Sequence, residues 1–311
     1  MDFELCDEWF KQQMVYTKIN VGETICIPNH PKYHLLSLQK NEVIEQEMEK
    51  KEDIEHQERI IQNKITPSEF YNNFVQCSEE ECQRISSYPQ RSKEWINSRK
   101  FCITASDFGT VNGENPYESV NVLLRKKVFE SFKGNEFTEY GKVNENNARD
   151  CFLDWYKYVD ANGNFREVNL IKYADTPWMA VSPDGLIDTM DNQVDLVEFK
   201  CPARIKDSDE HPYAKYPLNT PSYYYSQIQG IAGYLIDHGI KIRHIWFVVW
   251  QPKRTFITMH KFDENYYRSM FTKLRSFYFD QLLILLTKKY NNEVHLVKKG
   301  SRSVLENISS S

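Results

Sequence analysis

Apolar positions in this chain switch between a helical and a strand-like period, and the switch divides it. Between Leu35 and Ile65 they recur every three to four residues, at Leu38, Val43, Ile44, Met48, Ile54, Ile60 and Ile61. Glu42, Glu45, Glu47, Glu49, Glu52, Asp53, Glu55 and Glu58 crowd the remaining faces. That pattern predicts a solvated amphipathic helix, too acidic to lie against phosphates, with a partner-docking helix as the alternative. Ahead of it, Ile25 to Pro31 reads as a short extended or turn segment broken by Pro28 and Pro31.

Beyond Tyr88-Pro89 the order is richer. Helical spacing covers Arg91–Lys100, Ser119–Phe132, Gly141–Tyr158, Ser222–Asp237 and Glu264–Lys289, with a further helix start at Thr104-Ala105-Ser106-Asp107. Strand-like runs stand at Glu167–Ala174, Trp178–Ser182, Asp195–Lys200, Ile242–Trp250 and Phe256–Phe262. The alternation predicts an α/β core with a central mixed β-sheet flanked by helices. Three parts follow: a mainly helical N-terminal extension over residues 1–87, an α/β domain over 88–292, and a polar C-terminal tail over 293–311, frayed at its Ser-rich end.

Composition narrows the class. A chain of 311 residues can bury about three quarters of its unfolded surface. With 41% hydrophobic and 27% charged residues it is a globular chain, not a disordered one. The richest apolar run, Leu282 to Leu286, is stopped by Lys288 and Lys289, so no membrane-spanning helix is expected. Asp2, Glu4, Asp7 and Glu8 stand where a secretory signal needs basic residues, which points to an intracellular protein. A net charge of −5 argues against coating nucleic acid over the whole surface and leaves room for a local basic groove. The seven cysteines contain no CxxC pair; Cys77 and Cys82 can approach one another, but no histidine follows at finger spacing. Buried, reduced thiols are expected in place of structural zinc.

The stretch that carries chemistry is Ser182-Pro183-Asp184-Gly185, followed by Glu198-Phe199-Lys200. Side chains alternate along a strand, so Glu198 and Lys200 project together while Phe199 enters the opposite layer. Asp184 is expected where Pro183 and Gly185 bend the chain at the end of the Trp178–Ser182 strand. If the two strands are neighbours, Asp184 and Glu198 converge on one oxygen-seeking divalent cation, of which Mg²⁺ is the natural choice. Lys200 then stands where it can orient an attacking water, an arrangement suited to phosphodiester hydrolysis. Read alone, the same residues also describe a turn and an exposed cross-strand pair.

The flanks decide between these readings. In order come Trp95-Ile96-Asn97-Ser98-Arg99, Ile103-Thr104-Ala105-Ser106, Gly141-Lys142-Val143-Asn144-Glu145, the Asp184 and Glu198-Phe199-Lys200-Cys201-Pro202 strings, and Tyr224-Tyr225-Ser226-Gln227-Ile228-Gln229. The ordered set resembles the phage lambda exonuclease family, also called YqaJ-like viral recombinases, within the PD-(D/E)xK nuclease superfamily, over about Arg91 to Phe262. The resemblance implies a restriction-endonuclease-like core over residues 88–292 and a metal-dependent 5′→3′ exonuclease acting at double-stranded DNA ends. Its product would be a 3′ overhang for recombination or repair. Asp184 and Glu198 would hold Mg²⁺, with the Phe199 backbone carbonyl completing its shell. Glu145 would serve the metals, a second ion included, and Mn²⁺ could substitute. Lys200 would position the water, and Gln227 would hold that water or the scissile phosphate. Tyr224, one turn before Gln227 on the same face, would line the site.

Arg99 and Ser106 would receive a terminal 5′ phosphate, a guanidinium fork beside a hydroxyl and exposed backbone N–H groups being suited to that anion. Thr104 either joins them or caps a helix, and Trp95 is expected in the core. Arg91, Lys93, Lys100, Arg125, Lys126 and Lys127 supply positive charge nearby for phosphate contacts elsewhere along the DNA, or, for the last three, a solvated helix face.

The family also implies a viral setting in the host cytoplasm or nucleus, a single-strand annealing partner, and a homo-trimer as a guide to assembly. Two features depart from its pattern: the N-terminal ninety or so residues, and the polar segment from Pro202 to Tyr223, expected to border the DNA channel. The rival functions are an endonuclease or junction-cleaving enzyme of the same superfamily, a catalytically silent DNA-end-binding scaffold, and an adaptor built around the acidic helix.

Overall fold

A computed structural model describes residues 19–29, 64–130, 136–203, 220–299 and 302–307. Nearly all of the helix expected over Leu35–Ile65, and most of the polar segment from Pro202 to Tyr223, lie outside these residues.

The central sheet has six strands: β1 (Thr24–Pro28), β3 (Asn164–Arg166), β5 (Gly185–Asp188), β6 (Val194–Lys200), β7 (Ile242–Trp250) and β8 (Arg254–His260). Their spatial order is β1-β8-β7-β6-β5-β3, with β6 and β7 parallel and the other pairs antiparallel. The short pair β2 (Ile103–Thr104) and β4 (Met179–Ala180) forms a separate parallel contact. Around these lie α1 (Pro67–Phe74), α2 (Glu79–Ser86), α3 (Lys93–Ser98), α4 (Phe108–Asn112), α5 (Val120–Phe129), α6 (Glu136–Tyr156), α7 (Ser222–Asp237), α8 (Glu264–Ser276) and α9 (Leu283–Tyr290).

Strand alternation gives each face of the sheet its own core. Leu186, Leu196, Ile245, Phe247, Val249 and Phe256 share one cluster with Phe108 of α4, Ile228 and Ile231 of α7, and Tyr267 and Met270 of α8. Ile187, Val197, Phe199, Trp246, Val248 and Ile257 meet Ala148, Phe152 and Trp155 of α6 on the other. Burial on both faces explains why β7 reads as an almost unbroken apolar run. The mixed α/β architecture expected from the sequence is therefore present.

Beyond shifts of a few residues at helix and strand ends, four features differ from the sequence reading. The strand expected over Glu167–Ala174 is not a regular one: Asn164–Arg166 pairs with β5 instead, and only Ile171 bridges to Val181. Val168 and Leu170 are apolar because they enter the core, not because they belong to a ladder. Asp184 does not end the preceding strand; it stands directly before β5, a strand hidden by its flanking turn residues. Gly185 is required there, since a Cβ would lie 2.1 Å from the Phe165 ring that crosses the start of β5. The long closing helix is broken by a π-helical turn at Phe277–Leu282, where the Tyr278 hydroxyl donates to the Phe101 carbonyl at 2.9 Å. The tail expected to fray carries two antiparallel strands, β9 (Val294–Lys299) and β10 (Arg302–Asn307).

Parts of the N-terminal segment join this body. β1 forms the sheet edge beside β8, and Phe70 of α1 meets the rings of Phe101 and Tyr290 edge-on at 5.3 and 5.9 Å. Among the described residues no helix is long and apolar enough to cross a membrane.

Candidate active site

β5 and β6 are antiparallel neighbours with Gly185 opposite Val197, and this register sets Asp184 beside Glu198 at the mouth of the pair. Asp184 Oδ2 accepts the Phe199 backbone N–H at 2.7 Å. Glu198 is buried at 2% exposure on the α7 side of the sheet, while Phe199 packs against Phe152 of α6 on the other. Lys200 Nζ donates to Glu198 Oε1 at 2.6 Å, and Gln227 Nε2 of α7 donates to the same oxygen at 2.5 Å. The Tyr224 ring, one helical turn before Gln227, lies 5.0 Å from Lys200 Nζ. The structure thus brings together Asp184, Glu198, Lys200, Gln227 and Tyr224.

The electrostatics are strained toward cation binding. Burial, and then the Glu198 carboxylate, push Asp184 well above the usual carboxylate range, against the pull of Lys200. Burial alone would lower Lys200, but Glu198 and then Asp184 hold its ammonium above the ordinary lysine range. Burial also raises the neighbouring Cys201 thiol, reinforced by Asp184 and Glu145. Glu198 Oε2 is buried without a hydrogen-bond partner, although Oε1 has two. An unpartnered carboxylate oxygen beside a second carboxylate costs stability unless something positive meets it. Two neighbouring carboxylates, one with an unpartnered oxygen, have the donor chemistry of a hard divalent cation such as Mg²⁺.

Glu145 is placed differently from expectation. Its Oε2 pairs with Arg91 Nη2 at 2.7 Å, so the carboxylate is engaged by a guanidinium, although its charge still acts on Asp184. Arg91 reaches it from a left-handed backbone (φ 69°), a conformation costing a non-glycine residue on the order of 1 kcal/mol. Among the described residues, no three His, Cys, Asp or Glu side chains form a ready metal cluster.

A second group of expected residues gathers around β2. Arg99 stacks over the half-buried Trp95 ring at 4.0 Å, its Nη2 lies 3.4 Å from Thr104 Oγ1, and its Nε is buried without a partner. Burial lowers the Arg99 pKa. Thr104 Oγ1 and Ser106 Oγ are 3.2 Å apart. Thr104 also caps the following turn, its N–H and hydroxyl both donating to Asp107 Oδ2 at 2.7 and 2.9 Å. β2 pairs with β4, from which the chain runs through Ser182, whose buried hydroxyl has no partner, to Asp184.

Some charges expected to face DNA are already committed. Arg125 pairs with Glu130, Lys126 with Glu118, and Lys127 with Asp107 at 2.5 Å. Lys127 also donates to the Cys102 carbonyl, which makes it a brace between α5 and β2 and not part of a solvated face. Cys77 and Cys82 do approach, with Sγ atoms 3.0 Å apart, both buried.

Sequence reasoning missed Asp195, three residues before Glu198 on the same strand. Its fully buried carboxylate accepts from the Tyr156 hydroxyl (2.7 Å), Trp246 Nε1 (2.8 Å), Arg243 Nε and Nη2 (2.9 and 3.0 Å) and the His244 N–H (3.2 Å). It sits where the β6–β7 register shifts between Val194 and Leu196, tying both strands to α6. An aspartate inside an apolar strand pattern was its available signal.

Fold and site together define a mixed α/β protein with two carboxylates and a lysine gathered at the mouth of the inner strand pair β5 and β6. Residues 94–233, a little under half of the chain, match the model of the YqaJ-like viral recombinase domain. A curated relative, an uncharacterized protein of Acanthamoeba polyphaga mimivirus, is 26% identical over 155 residues, 47% of this chain and 27% of that protein. The match thus spans about a quarter of that relative's length. Similar solved structures include an alkaline exonuclease from Laribacter hongkongensis, with 19% identity and a TM-score of 0.49 over 65% of this chain and 99% of that one. Another is the Shutoff and Exonuclease Protein from Kaposis sarcoma associated herpesvirus, with 9% identity and a TM-score of 0.41 over 72% and 80% of the two chains.

Proposed function

We propose that the protein is a metal-dependent deoxyribonuclease that degrades double-stranded DNA from its ends in the 5′→3′ direction, leaving 3′ overhangs. The observation that carries this reading is Glu198, with one oxygen saturated by Lys200 and Gln227 and the other buried and unpartnered beside Asp184. Asp184 and Glu198 are the residues to hold Mg²⁺ or Mn²⁺, joined by the Phe199 carbonyl. Such a cation, when bound, supplies Lewis acidity at the scissile phosphate and makes water a competent nucleophile at neutral pH. The chain's own groups do the rest. Lys200 orients the attacking water and offsets charge gathering on the phosphate, while Gln227 fixes Glu198 and presents an amide to the same region. Glu145 could serve a second ion only on leaving Arg91.

End recognition falls to Arg99, Thr104 and Ser106. A guanidinium braced on an indole, with a spare buried N–H and two adjacent hydroxyls, suits a terminal 5′ phosphate. A single-strand annealing protein is the partner that the exposed 3′ strand calls for, and a homo-trimer is the assembly that the family likeness suggests. Digestion of linear duplexes bearing a 5′ phosphate or a 5′ hydroxyl, beside covalently closed circles, tests the reading. The phosphorylated end should be preferred by wild type, and Arg99→Ala should lose at least about tenfold on it while leaving the hydroxyl end little changed. Efficient cutting of closed circles would favour an endonuclease, and binding of ends without any cleavage a silent scaffold.

A further inference from the structure

A line of aromatic rings leads from the candidate centre to the surface. Lys200 Nζ lies 5.0 Å from the Tyr224 ring, Tyr224 is 4.2 Å from Tyr223, and Tyr223 meets Tyr117 edge-on at 5.8 Å. Tyr117 ends the line at 83% exposure, the most exposed of the large hydrophobic side chains among the described residues.

The loop that presents it is firmly built. Glu114 Oε2 accepts from Ser226 Oγ at 2.7 Å and from the Tyr266 hydroxyl at 2.6 Å, joining the loop to α7 and α8. The Asn115 side chain donates to Thr110 Oγ1 at 2.8 Å and accepts the Tyr117 N–H at 3.0 Å. Glu118 accepts from Thr110 and pairs with Lys126 at 2.6 Å, which offsets its charge. Beneath the loop, α4 presses on the start of α7 so closely that a Cβ on Gly109 would lie 2.7 Å from the Tyr223 backbone. Both the loop and its aromatic neighbour are therefore fixed relative to Gln227 and Lys200. A tyrosine ring presented to solvent on a pinned loop forgoes most of its hydrophobic burial, although its edge meets Tyr223.

We propose that Tyr117 is a stacking platform for an unpaired nucleobase of the strand entering or leaving the centre, with Tyr223 as its buttress. A phenol ring offers every base a π-face without reading sequence, which suits a site that must accept any DNA. The pinned loop lowers the ordering cost of the contact. This inference rests on the nuclease reading and adds to it the contact made by single-stranded DNA beside the reacting phosphate.

The test uses the full chain in chelator, so that DNA binds without being cut, and partial duplexes carrying 2-aminopurine in turn at each base near the end. Wild type should quench the probe at one position by stacking. Tyr117→Ala should abolish that quench and weaken binding about tenfold, while Tyr117→Trp retains both. Because Tyr117 is exposed, the melting temperature should not move. Unchanged quenching and affinity in Tyr117→Ala would overturn this inference alone. A wild-type chain that binds no DNA end would overturn the nuclease reading and this inference with it.

Discussion

Replacing Lys200 by alanine should lower kcat/KM for linear duplex DNA by at least about 10³-fold while leaving the folded state intact. The ammonium stands 2.6 Å from Glu198, is held charged by two carboxylates, and projects from the end of a strand whose partners do not depend on it. No other described lysine lies in hydrogen-bonding contact with Glu198. Lys200→Arg should restore little, because a planar guanidinium places its charge and donors differently from a compact ammonium. Single-turnover cleavage of an end-labelled duplex, with circular dichroism as a fold control, reads the effect. Cleavage by Lys200→Ala at the wild-type rate would remove the lysine from the chemistry.

The second large effect concerns stability. Asp195→Ala should lower stability by on the order of 3 kcal/mol, because it strands the buried donors of Trp246, Tyr156 and Arg243 around an empty acceptor position. For a chain of 311 residues that is a fall of roughly 5 °C in Tm. Burial alone would raise the Asp195 pKa, but donors on His244, Arg243, Trp246 and Tyr156 outweigh it and hold the group well below the usual carboxylate range. With the folded value depressed, the stabilisation is fully present above the unfolded pKa of about 4 and is lost as pH falls below it. Wild-type Tm should therefore drop steeply in acid, and Asp195→Asn should show a shallower drop from a lower plateau. Equal slopes in the two proteins would mean that Asp195 does not carry the acid sensitivity.

How much of this could be read from the residues depends on where the information resides. β7 and α7 were legible to the residue, because they run nine and sixteen residues, long enough for an apolar pattern to show despite Arg243 and His244 in β7. β6 was legible to within one. β3 and β5 are three and four residues long, too short for a period to show, and the turn-like Pro183-Asp184-Gly185 disguised where β5 begins. β1 joins the sheet through a partner more than two hundred positions away, which no local pattern announces.

The meeting of Asp184, Glu198 and Lys200 was legible, since it needs only two neighbouring strands. The partners of charges were not: that Arg91 would occupy Glu145, or Asp107 take Lys127, depends on packing between distant elements. Tyr117 was invisible for the same reason, as its meaning comes from Tyr223 and Tyr224 across the α4–α7 contact.

The claim on which the mechanism turns is that Asp184 and Glu198 together take up a divalent cation. Calorimetric titration of Mg²⁺, and of Mn²⁺, into the DNA-free chain tests it without recourse to activity. Wild type should bind with measurable heat, and Glu198→Gln should lose at least about tenfold in affinity although it preserves shape and the Oε1 contacts. Equal binding by the two proteins, or no uptake of either ion by wild type, would contradict the assignment of this pair as the metal centre.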